Sequence, residues 1–62
     1  MFTYEWQLFD KNNKETARFV QSSSAQYIVG DQVTHFNIDY IIKQRISNRI
    51  ENQPDIFVAN EI

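Results

Sequence analysis

The amino-acid sequence predicts a mostly β fold: a small antiparallel barrel or strongly coiled sheet of five to six strands. Three observations carry this prediction. Apolar and polar residues alternate from Phe2 to Leu8, which is the period of a strand with one buried face. A second, longer alternation begins at Phe36 and runs through Ile38, Tyr40 and Ile42 toward Ile46 and Ile50. Turn-forming residues separate the apolar runs, at Asp10–Lys14, at Gly30-Asp31 and around Pro54, and such punctuation joins neighbouring strands by hairpins.

The first strand is expected over residues 2–9. Phe2, Tyr4, Trp6 and Leu8 share one face, and Thr3, Glu5 and Gln7 the other. A small domain needs its largest side chains inside, so this aromatic face reads as core rather than as a platform for stacked bases. Asparagine tolerates the left-handed region, so Asn12-Asn13 closes the next turn without a glycine. A second strand follows over 15–20, with Ala17 and Phe19 on one side and Arg18 and Val20 on the other. Ser22-Ser23-Ser24-Ala25 has no periodicity and reads as a connecting loop. No G-x-S-x-G elbow surrounds these serines, and His35 is the single imidazole available as a base.

Gly30 is the only glycine of the chain. With no Cβ it adopts positive φ at little cost. A two-residue Gly30-Asp31 loop would join strands over 26–29 and 32–36 and set Ile28 opposite Val33. The segment over 38–51 carries the second alternation. Ile42, Ile46 and Ile50 recur at a spacing of four, which also makes a helical stripe that Asn37 would cap, so an α+β fold with a helix near 39–51 is the alternative. Strand is favoured because that stripe leaves Phe36, Ile38 and Tyr40 unexplained and because β-branched and aromatic residues abound. Pro54 suits a turn and ends the segment. The last strand, 55–61, has Ile56 and Val58 on one face and Phe57 and Ala59 on the other. Both faces are apolar, as expected of a strand paired inside the sheet.

Tyr27-x-Val29-Gly30-Asp31-x-Val33, followed by Tyr40-x-Ile42, resembles the middle of small SH3-like barrels, which often step into a strand through Gly-Asp-x-hydrophobic. The resemblance covers less than a third of the chain. It implies a binding fold that takes peptides or nucleic acids on a loop-lined surface. The aromatic and acidic groove motifs of proline-binding SH3 domains are not evident, and a fold does not by itself fix a function.

At 62 residues the chain makes one domain, 1–62, which buries only about 60% of its unfolded surface. It has no cysteine and one histidine, so neither a disulfide framework nor a zinc site is expected, and no cofactor is implied. Its nine-residue aromatic set (five Phe, three Tyr, one Trp) supplies large apolar area instead. The net charge of −2 speaks against a general polyanion binder. No signal-peptide pattern is seen, and the apolar runs fall far short of the ~20 residues that span a membrane, so the expected location is cytoplasmic. Rich use of Ile, Asn, Gln and Phe suits an AT-rich genome, bacterial or phage.

His35 reads as an exposed polar residue at a strand end, and Asp31, Asp39 and Asp55 as turn residues. The candidate partner-binding residues are Lys43, Arg45 and Arg49. In a continuous strand they share one outward face with Ser47. Such residues guard sheet edges in many proteins and hold phosphates in some. The expected function is a non-enzymatic interaction module that binds a protein partner or self-associates. The alternative is a nucleic-acid-binding accessory protein using the Lys43/Arg45/Arg49 stripe.

Overall fold

A computed structural model describes residues Met1 to Ile62 and contains five strands and no helix. They are β1 (Phe2–Phe9), β2 (Glu15–Ser23), β3 (Gln32–His35), β4 (Ile38–Ile46) and β5 (Asp55–Glu61). They form one sheet in the order β2-β1-β5-β4-β3. The β1–β2, β3–β4 and β4–β5 ladders are antiparallel; β1 and β5 pair in parallel. The sheet curls into a half-barrel whose two edge strands, β2 and β3, face one cavity without joining by backbone hydrogen bonds. The segment with the helical alternative is strand as far as Ile46.

The concave face holds the core. Tyr4, Trp6 and Leu8 come from β1, Tyr40 and Ile42 from β4, Phe57 and Ala59 from β5. Trp6 is therefore a core residue, as its alternation with Tyr4 and Leu8 predicts. β5 lies between β1 and β4, and its second face stays half-buried at Ile56 and Val58. This matches the doubly apolar pattern of that strand.

Local side-chain chemistry makes the turns. Asp10 accepts hydrogen bonds from the Asn12 and Lys14 amides at 2.8 and 3.0 Å, and Asn13 takes φ +61°, so the β1–β2 hairpin closes on asparagine as expected. β2 runs on to Ser23, beyond its expected end. The Ser22 hydroxyl meets that of Thr3 at 2.8 Å across the ladder, a cross-strand pair that holds the serines in the sheet.

Residues 26–29 do not form a strand. The Asp31 amide donates to the Ile28 carbonyl at 3.0 Å, and Gly30, third in that four-residue turn, takes φ +99°, as a type II turn requires. The Asp31 carboxylate accepts the Ile28 amide at 2.9 Å, which satisfies a donor that a ladder partner would otherwise take. The turn then docks on β4, with Gly30 donating to the Ile42 carbonyl and Ile42 to the Asp31 carbonyl, both at 2.9 Å. Val33 consequently faces Tyr40 rather than Ile28.

Residues 47–53 also leave the sheet. The Asn48 amide donates to Asp55 at 3.1 Å, the Ile50 amide to the Asn48 side chain at 3.0 Å, and Asn52 takes φ +67°. No helix of the chain is long and apolar enough to cross a membrane.

Two stability predictions follow from this packing. Phe57 is fully buried between its neighbours, so Phe57→Ala should cost about 3–5 kcal/mol in denaturant unfolding, most of the margin of a small domain. A cost below about 1 kcal/mol would displace Phe57 from the centre of the core. No atom lies within 4 Å of a Cβ built on Gly30, so Gly30→Ala meets no clash and its cost is conformational, roughly 1 kcal/mol. Gly30→Asn should cost less than Gly30→Ala, because asparagine enters the left-handed region more readily.

Candidate binding cleft

The three basic residues singled out by the sequence do not form a stripe. The β4–β5 register shifts between Ile42 and Gln44, so one extra residue, Lys43, bulges and the side chains beyond it exchange faces. Arg45 then pairs with Phe57 and turns to the concave face, whereas Ile46 pairs with Ile56 on the convex face. The Arg45 guanidinium lies 5.6 Å from the ring centroids of both Tyr4 and Phe57. It donates to Asp55 Oδ2 through Nη2 at 2.7 Å and Nε at 3.0 Å. Lys43 stays exposed at the bulge, and Arg49 lies beyond β4 in the turn segment. The arrangement makes Arg45 a cap over one end of the aromatic core, with its charge already paired.

The hydrogen bond from Arg45 holds the Asp55 carboxyl below its usual range, helped by the Asn48 amide and by the Arg45 charge and opposed by burial. The same hydrogen bond raises the Arg45 guanidinium further above its ordinary value.

The concave face opens at the other side of the half-barrel into a cleft of about 600 Å³ between β2 and β3. Trp6, Leu8, Phe19, Val20, Tyr27 and Val33 supply its apolar lining, and Gln21, Gln32, Thr34 and His35 its polar part. Phe19 of β2 and His35 of β3 stack across it, with ring centroids 4.7 Å apart and planes inclined by 16°. Tyr27 meets Trp6 edge-on at 5.3 Å. Its volume falls within the range of known ligand pockets.

Phe36 lies outside the lining of the cleft and adjoins it through His35. It is 85% exposed, contacts His35 edge-on at 4.5 Å, and has φ +48° beside Asn37 at φ +64°. This pair forms the two-residue turn between β3 and β4, where asparagine and glycine are the residues of choice. A bulky residue in the left-handed region costs roughly 1–2 kcal/mol. Phe36 is thus a large apolar residue, exposed, on a backbone that favours asparagine or glycine. Ile28 and Val29, both more than half exposed, extend the apolar surface along the turn after Tyr27.

Sequence reasoning missed this cleft. His35 is half-buried against Phe19 instead of being an exposed strand end, and Phe36 is a turn residue instead of a strand position. The available signal was Asn37, a turn former directly after Phe36. The serines are occupied locally: Ser23 accepts the Ala25 amide at 3.0 Å, and Ser22 pairs with Thr3. No three histidine or carboxylate residues converge in a way that would hold a metal ion. No protein family matches the chain, and neither a curated protein nor a solved structure is significantly similar to it.

Two predictions test these placements. Because the Asp55 carboxyl is held low, its stabilisation is present above the ordinary carboxylate range and is lost as pH falls through its folded value. Asp55→Asn should therefore lower stability at neutral pH and make the acid-side decline shallower; an unchanged profile of stability against pH would remove the Arg45–Asp55 pair from the fold's support. Phe36→Asn relieves the turn while giving up one edge contact worth about 0.5–1.5 kcal/mol. The variant should be as stable as the parent within about 1 kcal/mol, as read by thermal unfolding.

Proposed function

We propose that the protein is a small non-enzymatic interaction module, an SH3-like half-barrel that binds a protein partner through the aromatic cleft between β2 and β3. The carrying observation is Phe36: a large apolar side chain, exposed beside the cleft residue His35, on a backbone that favours another residue. A protein surface suits this site better than nucleic acid. The cleft has no lysine or arginine in its lining, Arg45 is engaged with Asp55, and the net charge is −2. Phosphate contacts, which supply most non-specific nucleic-acid affinity, need free cations that the bulge at Lys43 has dispersed. The absence of cysteine fits work in a reducing cytoplasm.

The test compares tagged parent and Phe36→Asn proteins as baits in nuclease-treated lysate of the native host. A polypeptide retained by the parent and lost by the variant is the expected result. Nucleic acid retained from untreated lysate and shed steeply with rising salt would overturn the reading, and so would one polypeptide held equally by both baits.

A further inference from the structure

We infer that the partner contributes one extended strand, which inserts between β2 and β3 and closes the half-barrel as a sixth strand. The inference rests on the cleft being the protein-binding site and names how it is filled. Its first support is which faces line the cavity. On β2, register with β1 turns Phe19 and Gln21 inward and Val20 outward, yet all three line the cleft. On β3, register with β4 turns Val33 inward with Tyr40 and leaves Gln32 and Thr34 on the opposite face, and all three line it too. The cavity thus runs along both edge strands and takes in consecutive residues of each.

The second support is the backbone. Of the seven backbone hydrogen bonds outside the ladders, none involves β2 or β3. The outer N–H and C=O groups of both edges are therefore free of backbone partners. Natural edge strands are guarded by shortness, charged residues, proline or a bulge. β2 carries such guards in its first half, the Glu15–Arg18 pair and the irregularity opposite Leu8 and Phe9, whereas Phe19–Ser23 has no charge and no proline; β3 is guarded by its length of four residues alone. Two edges free of backbone partners beside one cleft are the complement of an extended peptide, which meets them by strand addition.

The chemistry of the occupant follows. No side chain lining the cleft carries a fixed charge, so the inserted strand presents uncharged, apolar residues at alternate positions inward. β2 runs opposite to β1, and β3 runs parallel to β5 through two antiparallel steps. With β1 and β5 parallel, the two edges run in opposite senses. An inserted strand is thus antiparallel to one edge and parallel to the other. Antiparallel pairing with the nine-residue β2 is the better choice over the four-residue β3. The occupant is assigned to another protein; within residues 1–62 every strand is already paired and the segments between them are clamped by Asp10, Asp31 and Asp55.

The experiment selects binders from a phage-displayed library of random peptides, roughly twelve residues long to exceed one strand, and synthesises the best for amide exchange. The expected peptide slows exchange in both Phe19–Ser23 and Gln32–His35, and methylating its edge-facing amide nitrogens weakens binding about tenfold or more. A peptide that shifts Trp6, Tyr27 and Phe36 without slowing either edge, and that tolerates methylation, overturns strand insertion and leaves the cleft as a protein site. Failure to select any cleft-binding peptide overturns both. Protection of the same edges in a dimer of the free protein, seen together with sedimentation, overturns the choice of occupant in favour of a second copy.

Discussion

The fold depends on the parallel seam between its first and last strands. Trp6 lies beside Phe57 and Leu8 beside Ala59 across that seam. Rings of Tyr4 and Trp6 approach Phe57 to 4.5 and 5.1 Å. Parallel ladders are slightly weaker per residue than antiparallel ones, so side-chain burial must hold this one. Each large apolar side chain fully buried there contributes about 1.5–3 kcal/mol. Ala59 is as important for what it lacks. It sits between Leu8 and Ile42 with no exposed surface, and its small size lets those neighbours close over it as the sheet curls. β2 pairs with one side of this seam and β4 with the other, and β3 follows on β4.

One inserted residue decides what the surface can do. Without the bulge at Lys43, Arg45 and Ile46 would keep the faces that alternation assigns them. With it, Arg45 covers Tyr4 and Phe57 and meets Asp55. An exposed ion pair alone contributes little, but a guanidinium over two rings adds about 0.5–1 kcal/mol of cation–π attraction, and its stem shields apolar surface from water. The bulge converts one of three basic residues from surface charge into a core cap. The convex face receives Ile46 in exchange, beside Ile56.

Elements with local causes were legible in the sequence. Alternation located β1, the start of β4 and β5. Asn12-Asn13 and Gly30 marked turns that exist, and two apolar faces placed β5 inside the sheet. The failures have one physical source: contacts distant in sequence override local pattern. Nothing near Phe57 announces a parallel partner at Trp6. The bulge is set by pairing with β5, and Gln44, where alternation lapses, was its only trace. Tyr27-Ile28-Val29 has strand composition, yet the Asp31 carboxylate and the Trp6 ring draw it into a turn. The cleft was invisible because it belongs to no element. It arises where two edges, remote in the chain, are brought together by curvature.

The open side of the half-barrel is then best understood through the features that folding alone leaves unexplained. A five-stranded sheet can bring its edges together and pair them, which removes the liability of free strand edges. Here the edges stay unpaired, bridged by the Phe19–His35 stack instead of by backbone hydrogen bonds. The same side of the molecule carries the strained, exposed Phe36 and two edges without lysine or proline. Each of these is unfavourable or hazardous for an isolated protein, and each lies on one surface. Elsewhere the chain is locally consistent: turns are made by asparagine, glycine and aspartate, no buried side-chain polar atom lacks a partner, and the one cation turned toward the core has its carboxylate. These features gather on the side of the molecule where the proposed binding cleft lies.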